Sequence, residues 1–236
     1  MSIRLRLVPR RIRGIEFLDD PSCDDALAGR SLRDVARANH LFGGTNAVLA
    51  ELQPVLAAAR RTSGTLTLLD VGTGAGDIPQ RARQEASRMG VRLTTMGLEV
   101  TTSLAAASRS RSGEAIVADA HALPLSDRSV DVVTCSQLLH HFDAASTETV
   151  LRELQRVARV RVIVADLRRA WLAAGGLWIA SFALGFHPTS RHDGVVSVLR
   201  GFRTDELSNA VHAATGRRPS VRNRRGFRVT ASWSPA

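Results

Sequence analysis

A chain of 236 residues, 44% hydrophobic and 23% charged, is long enough to bury a substantial core and falls within the range of one large domain. Its net charge of +10 rests on arginine alone, spread along the chain with concentrations only at 4–13 and 217–228; with abundant alanine and no tyrosine this resembles a coding bias, and nucleic acid is not an expected partner. The two cysteines, Cys23 and Cys135, form neither a metal-ligand cluster nor a disulfide framework, which fits a reducing cytoplasm, and no apolar signal segment follows the basic first ten residues.

In chain order, residues 31–42 carry Leu32, Val35, Ala36 and Leu41 at helical spacing until Gly43-Gly44 breaks the pattern. Residues 45–60 place Val48, Leu49, Leu52, Val55, Leu56 and Ala59 on one face, a second helix with Pro54 as a point for a kink. Residues 1–60 are therefore expected to be an N-terminal helical cap on a core of 61–236.

The core opens with Leu68-Leu69-Asp70-Val71-Gly72-Thr73-Gly74-Ala75-Gly76-Asp77, an apolar run ending in an acid and leading into three alternating glycines. It predicts a buried strand followed by a tight turn whose missing side chains let a ligand lie against the main chain. A dinucleotide fingerprint spaces its glycines G-x-G-x-x-G; here Asp77 stands where the third glycine would fall. Its carboxylate would repel a diphosphate and suits an ammonium or sulfonium, which disfavours NAD and FAD.

Helices and strands then alternate. A helix over 78–89 precedes a strand over 93–100 that places Glu99 roughly 20 residues past the glycines, where a ribose diol is held in nucleotide folds. A helix over 103–109, a strand over 115–120 ending at Asp119-Ala120, a strand over 129–136 ending at Ser136, a helix over 147–158 and a strand over 161–166 complete the pattern of a parallel, doubly wound sheet. Residues 220–224 and 227–232, separated by Arg225-Gly226, predict a hairpin that adds one antiparallel strand.

LLDVGTGAGD, Glu99, ADAHALPLSDRSVDVV, CSQLLHHF and LRELQRVARVRVIVADL together resemble the class I S-adenosylmethionine-dependent methyltransferases, in particular the group with ubiquinone and menaquinone methyltransferases and many small-molecule enzymes. The likeness is strong over about 60–170. It implies a Rossmann-like α/β fold with S-adenosylmethionine as cofactor. Gly72, Gly74 and Gly76 would contact the methionine part, Glu99 the ribose hydroxyls and Asp119 the adenine, with Ala120 and Ser136 beside them. Asp70 would hold the loop or the cofactor's amino group. Glu99 stands where aspartate is commoner, one methylene longer with the same chemistry.

The acceptor side is less specific. Residues 170–186, AWLAAGGLWIASFALGF, are almost wholly apolar, too short for a membrane span of about 20 residues, and read as a helix covering the acceptor or making peripheral membrane contact. Trp171 and Trp178 are its candidate substrate residues, within an insert over about 168–203. His187-Pro188-Thr189-Ser190-Arg191-His192-Asp193-Gly194 reads as a polar loop, either solvated or lining the pocket mouth through His187 and Arg191. His140 and His141 follow the fourth strand, where ligands sit in such sheets; His140 is the candidate general base and His141 a candidate substrate contact. No metal-ligand spacing and no nucleophile with its base is evident. The expectation is methyl transfer to oxygen or carbon of a small apolar acceptor, aromatic or polyketide-like. A membrane-associated quinone or lipid methyltransferase and a non-catalytic cofactor-binding module are the alternatives.

Overall fold

The computed structural model describes residues 8–14, 16, 17 and 25–235; Cys23, the basic residues before Val8 and the side chains of Leu32 and Val35 lie outside the described residues. Helices α1 (Asp25–Leu41) and α2 (Gly44–Arg60) lead into β1 (Thr65–Val71), α3 (Asp77–Arg88), β2 (Arg92–Glu99), α4 (Thr102–Ser112), β3 (Glu114–Val117), β4 (Val130–Ser136), α5 (Ala144–Val157) and β5 (Ala158–Leu167). Then come α6 (Trp171–Ala183), α7 (Pro188–Arg200), α8 (Thr204–Thr215), β6 (Ser220–Arg224) and β7 (Arg228–Trp233). The seven strands form one sheet in the order β3-β2-β1-β4-β5-β7-β6, with β7 alone antiparallel to its neighbours. This is the doubly wound sheet with a C-terminal hairpin that the pattern predicts.

The central strands read as nearly continuous apolar runs because helices cover both faces. Successive side chains alternate between two cores. Leu69, Val71, Val133, Cys135, Val162 and Val164 pack against Leu151 and Leu154 of α5 and Leu207 and Val211 of α8. Leu68, Val132, Ile163 and Ala165 pack against Val48, Leu52 and Leu56 of α2 and Ile78 and Ala82 of α3. Cys135 is a core residue whose thiol is pushed up by burial.

Helix α2 runs unbroken through Pro54. Its buried Glu51 accepts hydrogen bonds from Thr230 Oγ1 (2.7 Å), Ser232 Oγ (3.0 Å) and Arg224 Nη2 (2.6 Å), tying the helix to the β6–β7 hairpin. At the other end of the hairpin, a Cβ on Gly226 would fall 1.8 Å from the Phe42 carbonyl oxygen, so the turn between α1 and α2 rests directly on the turn between β6 and β7.

Two elements differ from expectation. Residues 188–194, read as a loop, are the first half of α7: Pro188 occupies the first turn and His187 caps it, its Nδ1 accepting from Thr189 N at 3.3 Å. Polar residues here face α1 and the N-terminal segment, through pairs such as Ser190 Oγ with Ser31 Oγ (3.0 Å) and Phe17 N with Asp193 Oδ1 (3.0 Å). Helix α8 was not anticipated. Its signals are modest: Glu206 accepting from the Arg203 backbone at 2.8 Å, Leu207 and Val211 four apart, and Gly216 as the stop.

Candidate active site

The glycine loop joins β1 to α3 at the C-terminal edge of the sheet. Its three glycines have different duties. A Cβ on Gly72 would press on Leu138, and one on Gly76 would lie 3.0 Å from Ser108 O and 2.9 Å from Arg111 Cβ, so these two let the loop pack against the protein. Gly74 (φ 56°) has nothing within 4 Å of its missing Cβ, and the open space lies over it. Asp77, read as facing a cationic cofactor group, accepts from Thr45 Oγ1 at 2.7 Å. It lines a cleft of about 560 Å³ between the loop end, α1 and the end of α6, with Arg37, Leu41, Gln80, Arg81 and Leu184.

Glu99, at the end of β2, is 8% exposed and accepts from the Gly74 backbone N–H, so the acid predicted for a ribose is held against the predicted loop. Burial pushes its carboxyl up against the opposing pull of the backbone donors. Asp70, at the end of β1, is fully buried; Oδ1 accepts from Thr134 Oγ1 at 2.6 Å and Oδ2 has no partner. Burial, outweighing the hydrogen bonds, raises its carboxyl to about 7. Ser136 Oγ at the end of β4 is likewise buried and unpartnered, and Thr73 Oγ1 in the loop lies close enough to the Asp70 carboxyl to oppose its rise. Buried polar atoms are normally satisfied. An unsatisfied hydroxyl and an under-satisfied carboxyl beside an open-faced glycine loop fit a ligand that carries donors.

Asp119 lies past the end of β3, exposed, where it accepts from His121 N (2.9 Å) and pairs with His121 Nδ1 (2.6 Å), bonds that hold its carboxyl below the usual range. Ala120 is buried in the core beside Leu123 and Leu139. Glu99, Asp70 and Ser136 thus lie at the ends of the adjacent strands β2, β1 and β4 beside the loop, with Asp119 past the end of β3.

Beyond β4, His140 is 4% exposed and its Nδ1 lies 2.7 Å from Asp166 Oδ1, at the end of β5. Asp166 also accepts from Leu167 N (2.7 Å) and His140 N (3.2 Å). Its burial would raise the carboxyl, but His140 and the backbone donors more than offset this and hold it below the ordinary range. An ionised carboxylate only accepts, so the His140 Nδ1–H donates to Asp166 and fixes the orientation of the ring. Asp166 was missed in the sequence, although VADL ends a strand in an acid as β1 and β2 do.

His141 stacks on His140 with ring centroids 4.3 Å apart. It also faces Glu16 (3.9 Å) and Arg200 (3.4 Å). Glu16, His140 and His141 bring ligand atoms within 4.8 Å of one another, but Arg200 Nη1 lies 3.1 Å from Glu16 Oε1 and already supplies a positive charge there. The N-terminal segment therefore lies over the histidine pair, anchored by Arg169 Nε to Pro9 O (2.8 Å) and by Ser197 Oγ to Glu16 (2.8 Å).

The predicted acceptor residues of the insert are not gathered at this place. Trp171 (58% exposed) and Trp178 (53%) lie on an outward face of α6 with Leu172, Ile179 and Phe182. The opposite face, through Ala173, Ala174 and the partly buried Leu177, packs on Leu167 and Val198. His187 caps α7 and donates its N–H to Asp34 at 3.2 Å. Arg191 stacks over Phe182 at 4.0 Å, joining α7 to α6. No helix among the described residues is long and apolar enough to cross a membrane.

Comparison with known proteins agrees with this fold. Residues 69–165 match the methyltransferase domain family. Over 104 residues the chain is 33% identical to a demethylmenaquinone methyltransferase of Thermotoga maritima, covering 42% of this chain and 43% of that protein. The chain thus spans less than half the length of this curated relative. A SAM-dependent methyltransferase from Aquifex aeolicus superposes with a TM-score of 0.55 at 18% identity, covering 85% of this chain and 98% of that one. A magnesium protoporphyrin IX methyltransferase from Synechocystis, solved with bound SAH, superposes with a TM-score of 0.53 at 14% identity, covering 92% and 90%. At these identities the structures show a shared fold.

Proposed function

We propose, for a chain whose residues 69–165 are a methyltransferase domain on the class I fold, that it is an S-adenosylmethionine-dependent methyltransferase of a small acceptor, transferring methyl to oxygen or carbon. The observation that carries this reading is the juxtaposition, along one edge of the sheet, of a glycine turn flanked by strand-end polar groups and a histidine locked by a buried aspartate. The turn brings Gly74 against Glu99, with Asp70 and Ser136 at the neighbouring strand ends; the histidine is His140 on Asp166.

When bound, S-adenosylmethionine supplies an activated methyl group on sulfur. Glu99 would accept from the ribose hydroxyls, Asp119 would face the adenine, and Asp70 would hold the amino group. Orienting the acceptor atom in line with the methyl contributes much of the acceleration in such displacements. His140 Nε2 would take the proton of a hydroxyl or acidic carbon as the new bond forms, and Asp166 would stabilise the resulting imidazolium. His140 is shielded from solvent, and Glu16 lies beside the partly exposed His141.

The test is incubation of purified protein with isotopically labelled methyl donor and extract of the source cell, followed by mass identification of the labelled product. No labelled product, with no binding of S-adenosylmethionine by calorimetry, overturns the reading. With a product in hand, near-normal turnover of His140→Ala removes the base role while leaving the transferase standing. A second reading, a membrane-associated quinone or lipid methyltransferase, is favoured by the outward apolar face of α6 and by the Thermotoga relative. A cytoplasmic location suits both readings.

A further inference from the structure

Three arginines are buried in the described structure, and two of them have a carboxylate. Arg169 pairs with Glu206 at 2.7 Å, and Arg200 with Glu16 at 3.1 Å. Arg228 is also buried, 4% exposed, yet no carboxylate pairs with it among the described residues. Its Nε has no partner, and its Nη2 reaches only Asn39 Oδ1, at 3.5 Å. Asp166 acts on it through space, but that carboxylate is already engaged by His140 and Leu167. Burial lowers the guanidinium to about 10, so it stays charged at neutral pH.

A second donor competes for the same acceptor. Gln137, the first residue after β4 and itself at φ 54°, donates through Nε2 to Asn39 Oδ1. A cation and an amide thus converge on one neutral oxygen. Burying a charge without a counter-charge is costly, and native proteins rarely accept that cost without return. The placement follows from the fold: the α1–α2 turn seated on Gly226 carries Asn39 over the first residue of β7.

We propose that Arg228, with Gln137 and Asn39, seats an anionic group of the methyl acceptor, a carboxylate or an ionised phenol or enol. This rests on the methyl-transfer reading. Strand order decides between the two sources of such an anion. Glu99 on β2 lies on one side of the glycine loop, whereas Gln137 follows β4 on the other side and Arg228 reaches in from β7, opposite Leu167 of β5. The seat is thus approached from the side of His140 and Asp166, away from Glu99, so it is read as addressing the acceptor rather than the carboxylate of the donor. The acceptor is then an apolar body bearing one negative group, and the guanidinium would favour the ionised form of a phenol or enol as the nucleophile.

The experiment titrates benzoate and its neutral isostere benzamide, by ligand-observed NMR, into protein saturated with S-adenosylhomocysteine. The expected result is saturable benzoate binding at least tenfold tighter than benzamide, a preference lost in Arg228→Gln and partly kept in Arg228→Lys. Asn39→Leu, should Arg228→Gln not fold, is expected to weaken benzoate and leave benzamide unchanged. Equal binding of the two probes, no benzoate binding to the wild type, or an intact preference in Arg228→Gln overturns the proposal. A parallel arm compares S-adenosylhomocysteine with 5′-methylthioadenosine, which lacks the amino-acid moiety. If Arg228→Gln weakens only the former, the seat belongs to the donor and the acceptor assignment falls. If the wild type binds neither nucleoside, the methyl-transfer reading fails separately, and the benzoate titration on the free chain still decides whether the seat exists.

Discussion

Asp70→Asn is expected to stabilise the ligand-free protein in a strongly pH-dependent way. Asp70 is buried with one oxygen unpartnered, and its carboxyl rises from 3.8 to about 7 on folding. Between those values the folded chain holds a proton that the unfolded chain releases, so stability falls as pH rises through this window. At about 1.36 kcal/mol per unit the whole span is worth about 4 kcal/mol, of which about 3 kcal/mol separates pH 4.5 from pH 8. Asparagine keeps the acceptor for Thr134 and does not ionise. It leaves an unpaired amide costing about 1–3 kcal/mol, but that cost is the same at both pH values. Urea unfolding of wild type and variant at pH 4.5 and 8 isolates the ionisation as a difference of differences. A stability difference between the two proteins that does not change with pH refutes the reasoning. The same ionisation governs binding: an ammonium brought against Asp70 returns it to its charged form, so S-adenosylhomocysteine should bind about tenfold tighter at pH 8 than at pH 6, and Asp70→Asn should flatten that profile.

Gly74 and Gly76 should separate fold from ligand: Gly76→Ala, forced onto Ser108 and Arg111, lowers stability by about 1–3 kcal/mol in thermal melts, whereas Gly74→Leu costs less and abolishes S-adenosylhomocysteine binding by calorimetry. Glu99→Gln keeps the size of the side chain but loses the charge, and is expected to weaken nucleoside binding about tenfold, with an unchanged circular dichroism spectrum. Once an acceptor is identified, Asp166→Asn should cut turnover about a hundredfold and change the pH profile without raising the KM for the donor. If α6 meets a membrane, the protein floats with anionic liposomes and Ile179→Asp abolishes flotation; flotation that survives this change excludes the helix as the contact.

The glycine turn and the acid held against it were legible in the chain because they are local. A buried strand, a glycine turn and an acid at the end of the next strand are short-range patterns, and parallel pairing of β1 with β2 brings Glu99 to Gly74 with little further information. The doubly wound sheet and its closing hairpin followed from the alternation of helical and strand periods along the chain. The surroundings of His140 and of the α6 tryptophans were not legible. His140 was visible but not its tether, because Asp166 reaches it only when β4 and β5 pair and the turn after β4 folds back over their ends. The tryptophans of α6 marked an apolar helix, and only packing decided that they face outward. Arg228 is one arginine among 32, distinguished by nothing in its neighbours along the chain. Burial and the lack of a counter-charge belong to the whole fold, and they single it out only after α1, α2, β4 and β7 have closed around it.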